Sequence, residues 1–241
     1  MSDPVTYSVE EGVATIRLNR PQARNALNLA MCDGLAGAAK AAAADASVKL
    51  VLVRGEGSVF CAGADVKERQ GMDEAQVRAR RQKGFDAYAA LEALPMPAVA
   101  VVEGPAVGSG CEIASSCDFI VATTAASFRT PEATRGTVGA TQRLARVLGK
   151  RLAKDMMYTG RTLSAAEALA HGLVARLVAP ERLDETLAAI VEAITSAPQQ
   201  SLRLAKRTID RGVERDPKGA LAAEIEAIEE QLASGHWMGK N

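Results

Sequence analysis

Two glutamates, Glu112 and Glu132, are the acidic residues whose surroundings best fit a chemical role. Glu112 lies between Cys111 and Ile113, and a carboxylate with such apolar neighbours is usually either partnered or functional. Glu132 follows later, after a predicted strand, so that a helix, strand and loop return the chain beside Glu112. Two carboxylates at one site, one ionised and one protonated, suit general acid–base catalysis. The alternative for Glu132 is a helix-start residue that interacts favourably with the helix dipole.

Two turns rich in small residues accompany this pair. Residues 60–67 (FCAGADVK) and 104–112 (GPAVGSGCE) each follow a predicted strand. Small residues let the backbone approach a ligand closely, and N–H groups at a helix start point outward with partial positive charge. Side by side at one sheet edge, the two turns could direct two N–H donors at one oxygen, as an oxyanion hole does. The alternative is that both are ordinary tight strand–helix connections.

Ser109 is the residue that most resembles a nucleophile, but the motifs that would support this role are broken. Val107 occupies the first glycine position of a G-x-S-x-G elbow, and Ile113 replaces the third glycine of a dinucleotide fingerprint. A serine triad also needs a histidine base. His171 falls in a predicted helix-to-strand turn and His236 lies near the C-terminus. A nucleophilic Ser109 is therefore disfavoured.

The elements that must position these residues alternate between strand and helix. Strands are predicted at 13–18, 50–53, 98–102 and 119–122, and helices at 29–45, 73–94, 144–159, 165–171, 183–196 and over most of 202–233. This order indicates an α/β fold with a mostly parallel sheet and crossover helices. From about residue 141 the chain is predicted to be almost all helix. That region is expected to pack on the α/β core or on a neighbouring subunit.

Composition and charge exclude several classes of partner. The 241 residues carry 29 basic and 29 acidic side chains, so no global field attracts nucleic acid or an anionic membrane. No apolar run reaches membrane-spanning length. We therefore predict no nucleic-acid and no membrane partner. Any anionic ligand must be held by local basic residues.

The cysteines argue against a metal site and for a reducing compartment. Cys32, Cys61, Cys111 and Cys117 form no CxxC pair, and only two histidines accompany them, so a zinc site is not expected. The N-terminus shows no secretory signal. Unpaired thiols without a signal predict a cytoplasmic location.

Over nearly its full length the sequence resembles the enoyl-CoA hydratase, or crotonase, superfamily. The order and spacing of the matching stretches make this resemblance more specific than any single motif. The matches are 18–21 with 24–27, 60–67, 104–118, 131–132, 141–144, 159–161 with Ala165, and 172–174.

The resemblance implies a fold and an assembly. The fold would be a crotonase-like spiral of ββα units with a C-terminal helical trimerisation region. We expect residues 1–190 to form the α/β core for acyl-CoA binding and catalysis, and residues 191–241 to form a helical oligomerisation region that is shorter than usual. The expected assembly is a homo-trimer, often paired into a hexamer.

The resemblance also implies site roles. The backbone N–H groups of Ala64 and Ser109 match the two oxyanion donors that bind a thioester carbonyl. Glu112 and Glu132 match the two hydratase glutamates, which position the water that adds to Cβ and supply a proton to Cα. The family usually has glycine where Ser109 stands. A backbone donor survives this change.

Four further positions match the region that binds coenzyme A: Arg24, Ala62, Asp65 and Lys67. Arg24 and Lys67 could approach the CoA phosphates, or they could simply be solvated surface charges. Coenzyme A is part of the substrate, and no separate cofactor is expected.

The expected function is hydration of a 2-enoyl-CoA thioester. Alternatives are a carnitinyl-CoA-type dehydratase, an enoyl-CoA isomerase, a specialised acyl-CoA hydratase, or a non-catalytic scaffold that binds CoA or RNA. Isomerases typically need one glutamate, so the presence of both Glu112 and Glu132 favours hydration or dehydration. The 136–140 segment lacks the usual Pro-Gly and is a few residues shorter than the common form, which leaves the acyl pocket and substrate identity open.

Overall fold

The computed structural model of the protein describes residues 3–235, so His236 and the rest of the tail of the predicted 191–241 region lie outside it. The strands are β1 (Val5–Glu10), β2 (Val13–Leu18), β3 (Leu50–Gly55), β4 (Ala98–Val102), β5 (Pro105–Val107), β6 (Phe119–Thr123), β7 (Ser127–Arg129), β8 (Thr162–Ser164) and β9 (Arg176–Val178). The α-helices are α1 (Leu29–Ala44), α2 (Glu74–Glu92), α3 (Ser109–Ser115), α4 (Arg143–Thr159), α5 (Ala165–Ala170), α6 (Leu183–Ser196), α7 (Gln199–Gly212) and α8 (Pro217–Ala233).

A six-stranded sheet in the order β1-β2-β3-β4-β6-β9 forms the centre of the molecule, and every pair except β1–β2 is parallel. Alternate residues of its central strands enter two different cores. One core includes Val51, Val53, Ala98 and Ala100 together with residues of α1, α2 and α3. The other packs Leu50, Leu52, Val99 and Val101 against α6. Burial on both faces explains the continuous apolar runs in the sequence, and the predicted parallel sheet is confirmed.

A strand–strand–helix unit repeats along the chain. In β4–β5–α3 and β6–β7–α4, the first strand joins the large sheet and the second joins a small sheet in the order β5-β7-β8. In the two preceding units the second strand is reduced to single bridges, Leu27 with Ala64 and Cys61 with Ala106. The small sheet and these bridges therefore form one layer at the carboxyl ends of the parallel strands. The 60–67 and 104–112 turns lie in that layer.

Side-chain caps fix where the first two long helices begin. The Asn28 side chain accepts a hydrogen bond from Met31 N at the start of α1. Asp73 and Gln76 form a reciprocal capping box at the start of α2. The predicted starts of both helices, and the predicted cap at Asn28, are confirmed.

The prediction that the chain is almost all helix after residue 141 is wrong at two places. β8 pairs with β7 and β9 pairs with β6. Three-residue strands are too short to show a recognisable periodicity. Whether such a segment forms a strand depends on pairing with the edge of an existing strand. The predicted helix 144–159 has one non-helical residue, Gly149, and the predicted 202–233 helix is the pair α7 and α8.

The predicted boundary at residue 190 falls within α6, which covers one face of the large sheet through Leu183, Leu187 and Ile190. The α7–α8 pair follows it. Exposed apolar side chains of α8 form a stripe: Leu221, Ile225, Ile228 and Leu232. Of the helices described, none is long and apolar enough to cross a membrane.

Candidate active site

The 60–67 and 104–112 turns are hydrogen-bonded to each other. Cys61 N donates to Pro105 O at 3.2 Å, and Val107 N donates to Cys61 O at 2.9 Å. The approach is so close that a β-carbon at Gly110 would lie 2.4 Å from the Cys61 carbonyl oxygen. Only glycine fits at that position. The structure therefore brings the two turns side by side.

Ala64 and Ser109 line the same cavity, one from each turn. Leu27 pairs with the residues on either side of Ala64, since Leu27 N donates to Gly63 O and Asp65 N donates to Leu27 O. Within residues 3–235, neither the Ala64 N–H nor the Ser109 N–H donates a hydrogen bond to a protein atom. Both amides are thus unpaired within the described chain and are able to donate to a ligand.

The cavity has a volume of about 110 Å³, and helix α2 forms one wall. Val77, Arg81, Gly84 and Tyr88 share one helix face at spacings of three and four residues. The opposite wall comes from residues 137–140. Arg81 Nη1 donates to Val138 O at 3.0 Å, which ties the two walls together.

Glu112 lies in the first turn of α3 and is only 5% exposed. Its Oε2 accepts a 2.6 Å hydrogen bond from Arg143 Nη1. Its Oε1 is buried and accepts none from the described part of the chain. Glu112 lines the cavity, with one carboxylate oxygen held by Arg143 and the other without a hydrogen-bond partner in the described chain.

Glu132 lines the same cavity from the residue before a short 3-10 turn, 133–135. Its Oε2 is also buried and without a hydrogen-bond partner among the described residues. A β-carbon at Gly108 would lie 2.3 Å from Glu132 Oε1, and Gly108 has a φ of +52°. Glycine at 108 therefore gives this carboxylate its space. The structure brings the two predicted glutamates to one site.

Burial raises the pKa of both carboxyl groups above the ordinary glutamate value. At Glu112 the charge and hydrogen bond of Arg143 oppose this effect. At Glu132 its own backbone amide and Arg135 lower the pKa, while the charge of Glu112 raises it. Glu112, with a directly bonded cation, is the better candidate for the ionised member of the pair.

The surroundings of Ser109 do not provide a base for nucleophilic catalysis. Its side chain lies beside the phenol of Tyr88 in the cavity lining. No histidine lines the cavity in the part of the chain that the structure describes, and His171 ends helix α5. Cys32 does line the cavity, but burial raises the pKa of its thiol to about 11, so it stays protonated at neutral pH.

The four positions expected at coenzyme A differ in their surroundings. Arg24 and Lys67 are exposed, and within residues 3–235 neither side chain has a hydrogen-bond or ion-pair partner. Ala62 N donates to Arg24 O at 3.0 Å. The Asp65 carboxylate pairs with Arg20 at 3.0 Å and accepts from Lys67 N at 3.1 Å. Its side chain therefore shapes the turn.

Arg80 is a site residue that sequence reasoning missed. It is 7% exposed, donates to Leu27 O at 2.6 Å and pairs with Glu68 at 2.9 Å. Glu68 in turn accepts from Leu29 N. Arg80 thus supports the segment that carries Ala64. The sequence offered no signal, since residue 80 is one of three arginines in the polar run 78–81.

Phe85 and Tyr88 were also missed, although a signal existed. Both line the cavity, with ring centroids 6.3 Å apart in an edge-to-face arrangement. Aromatic residues are only 3% of this chain, so two of them three residues apart on a helix mark a distinct surface. No group of three or more residues suited to hold a metal ion occurs in the described part of the chain.

Comparison with known proteins places these features in a family. The sequence model of the enoyl-CoA hydratase/isomerase family matches residues 8–238. A probable enoyl-CoA hydratase of Rhizobium meliloti is 42% identical, over 84% of this chain and 79% of the relative. A short-chain-enoyl-CoA hydratase of Clostridium acetobutylicum is 38% identical, over 94% of this chain and 88% of the relative.

A solved structure extends the likeness to three dimensions. The crystal structure of an enoyl-CoA hydratase from Bacillus anthracis superposes with a TM-score of 0.90 at 36% identity, covering 94% of this chain and 90% of that one. The predicted resemblance is confirmed. The predicted α/β fold with a C-terminal helical region is confirmed as well.

Proposed function

The chain belongs to the enoyl-CoA hydratase/isomerase family, and from that premise we propose that it adds water to the double bond of a 2-enoyl-CoA thioester. One observation carries this proposal. A single cavity holds two carboxylates, each with a buried oxygen free of protein partners, and two backbone amides that donate to no protein atom within residues 3–235. This is the set of groups that hydration requires.

In the proposed reaction the thioester carbonyl oxygen accepts hydrogen bonds from Ala64 N and Ser109 N. As water adds to Cβ, negative charge moves onto that oxygen, and the two amides stabilise it. Ionised Glu112 accepts the proton from the attacking water. Protonated Glu132 donates a proton to Cα, and a proton passes from Glu112 to Glu132 to restore the pair.

The size of the cavity supports a short acyl group. A single water needs about 10–15 Å³ of cavity volume, so a cavity of about 110 Å³ has room for roughly seven to eleven water-sized groups, enough for a short acyl chain. The Clostridium acetobutylicum relative is likewise named a short-chain-enoyl-CoA hydratase. In this proposal the coenzyme A portion lies outside, near Arg24, Ala62, Asp65 and Lys67, and the enzyme uses no further cofactor.

Incubation with crotonyl-CoA tests the proposal directly. Hydration removes the absorbance of the conjugated thioester and yields 3-hydroxybutyryl-CoA, and the reverse reaction restores it. An isomerase would produce that absorbance from a 3-enoyl-CoA instead. Binding of the thioester without any change in absorbance from either substrate would favour a scaffold and contradict the proposal.

Charge reversal at Arg24 or Lys67 should weaken acyl-CoA binding and leave the chemistry intact. We expect KM to rise several-fold with kcat nearly unchanged, because these exposed cations would contact only phosphate groups. The effect should shrink in high salt. Lys40→Glu is a matched control, since Lys40 is exposed near the far end of α1. A selective loss of kcat would contradict a role in binding alone.

The protein should be a homo-trimer or hexamer. Leu221, Ile225, Ile228 and Leu232 expose an apolar stripe on α8, and such a stripe needs a covering surface. Light scattering at micromolar concentration should give an oligomeric mass, and Ile228→Asp should shift it toward the monomer. Glu226→Asp on the same helix should not. A wild-type monomer would contradict this prediction.

A further inference from the structure

Arg143, the first residue of α4, joins two carboxylates from two other helices. Its Nη1 donates to Glu112 Oε2 on α3 at 2.6 Å. Its Nε and Nη2 donate to the two carboxylate oxygens of Glu92 on α2 at 2.6 and 2.7 Å. The Glu92 contact is bidentate, the geometry in which a guanidinium is held most rigidly.

An aromatic ring further restricts this guanidinium. Arg143 Cζ lies 5.4 Å from the centroid of the Tyr88 ring, within cation–π distance. Neither Arg143 nor Glu92 lines the cavity, whereas Tyr88 and Glu112 do. Arg143 therefore acts on the cavity only through a neighbour.

Arg143 constrains Glu112 in two ways. The carboxylate cannot rotate without breaking the 2.6 Å bond, so Oε1 keeps its buried position without a protein partner in the described chain. In addition, a charged carboxylate that is 5% exposed is strongly disfavoured without a cation beside it. Arg143 is the cation in direct contact with it.

We propose that Arg143 is a positioning residue, clamped by Glu92, that holds Glu112 ionised with Oε1 facing the substrate. The proposal rests on the proposed function, in which Glu112 is the base. It also gives the two glutamates different roles, since Glu132 forms no ion pair in the part of the chain that the structure describes.

The charged and titratable groups around Glu112 determine the direction in which its pKa moves when a neighbour is replaced. Burial raises the pKa values of the nearby Tyr88 phenol and Cys111 thiol, so both stay neutral. The charged neighbours therefore determine how the pKa of Glu112 changes. Arg143 lowers the pKa of Glu112, and Glu92 raises it. Among residues 3–235, the titratable groups that interact electrostatically with Glu112 are Arg143, Glu92, Tyr88, Cys111 and Glu132.

Arg143→Gln should lower kcat for crotonyl-CoA at neutral pH by about tenfold or more and leave KM nearly unchanged. Without the cation, Glu112 binds its proton more tightly, so the acidic limb of kcat/KM should move up by about one pH unit or more. Arg143→Lys keeps the charge and should return the limb close to its wild-type position. It should restore only part of kcat, because lysine lacks the bidentate contact with Glu92.

Glu92→Gln should move the acidic limb in the opposite direction, to lower pH, because a negative charge near Glu112 is removed. The shift should be small, since Glu92 is 44% exposed and screened by solvent. Arg146→Gln is the matched control. Arg146 lies on the same helix and pairs with Glu214 at an exposed site, so its loss should leave the limb in place.

Titration of the Glu112 carboxyl carbon by NMR makes the test independent of turnover. With carbon-13-labelled glutamate, and Glu112→Gln to assign the signal, the midpoint should rise in Arg143→Gln and fall slightly in Glu92→Gln. An unchanged midpoint and pH profile in a folded Arg143→Gln protein would overturn the proposal. If the wild type hydrates no enoyl-CoA, the proposed function fails, and the NMR midpoint still decides whether Arg143 controls Glu112.

Discussion

Glu112→Gln and Glu132→Gln should each lower kcat for crotonyl-CoA hydration by about 10²-fold or more, the scale for one acid–base group. Glutamine preserves the shape of the side chain but neither accepts nor donates the proton. Both residues line the cavity with one buried, unpartnered oxygen in the described chain. Because that oxygen carries out the proposed chemistry, acyl-CoA binding should largely survive, which calorimetry with a saturated thioester would show.

Glu103→Gln is the matched control for this pair. Glu103 directly precedes the 104–112 turn but pairs with Arg54 and does not line the cavity. Its replacement should leave kcat within a few-fold of wild type. Near-normal hydration in either Glu112→Gln or Glu132→Gln would remove that residue from the mechanism.

The pH profile should identify which glutamate is the base. Activity requires Glu112 ionised, so it should fall as pH drops through the pKa of that group. It requires Glu132 protonated, so it should also fall as pH rises through the pKa of the second group. Burial raises both pKa values, so both limbs should lie above the range of an ordinary glutamate. Residual activity of Glu112→Gln should lack the acidic limb.

Ser109→Pro should cost about 10²-fold or more in kcat, because it removes one backbone donor from the proposed oxyanion hole. The structure makes this substitution informative. Ser109 is the first residue of α3, where proline is tolerated, and its N–H donates to no protein atom within residues 3–235. Circular dichroism and oligomer mass should therefore report a folded protein.

Ser109→Gly and Ser109→Ala are the controls, since both keep the N–H and should retain substantial activity. The loss of the contact between the Ser109 side chain and Tyr88 should have a small effect. If Ser109 were instead a nucleophile, alanine would abolish activity as completely as proline. An inactive but folded Ser109→Ala enzyme would overturn the oxyanion role and support covalent catalysis.

The sequence alone determined the features that depend on local patterns. The alternating run of β2, the continuous apolar runs of β3 and β4 and the cap at Asn28 all match the structure. Such signals are readable because a strand with one or two buried faces, or a helix start, is specified by neighbouring residues. The glycine-rich turns and the two glutamates are also visible locally, because clustered small residues and a carboxylate among apolar neighbours are unusual in a turn or a helix.

Tertiary structure alone decided which distant side chains meet. The pairing of Arg143 with Glu112 and Glu92, and of Asp65 with Arg20, joins residues far apart in the chain. Sequence periodicity does not predict such contacts, because the local pattern around an arginine is the same whether its side chain is solvated or held between carboxylates. The short strands β8 and β9 likewise exist only because edges of other strands were there to pair with them. The ionisation of a glutamate depends on burial and on its nearest charges, which the fold alone sets.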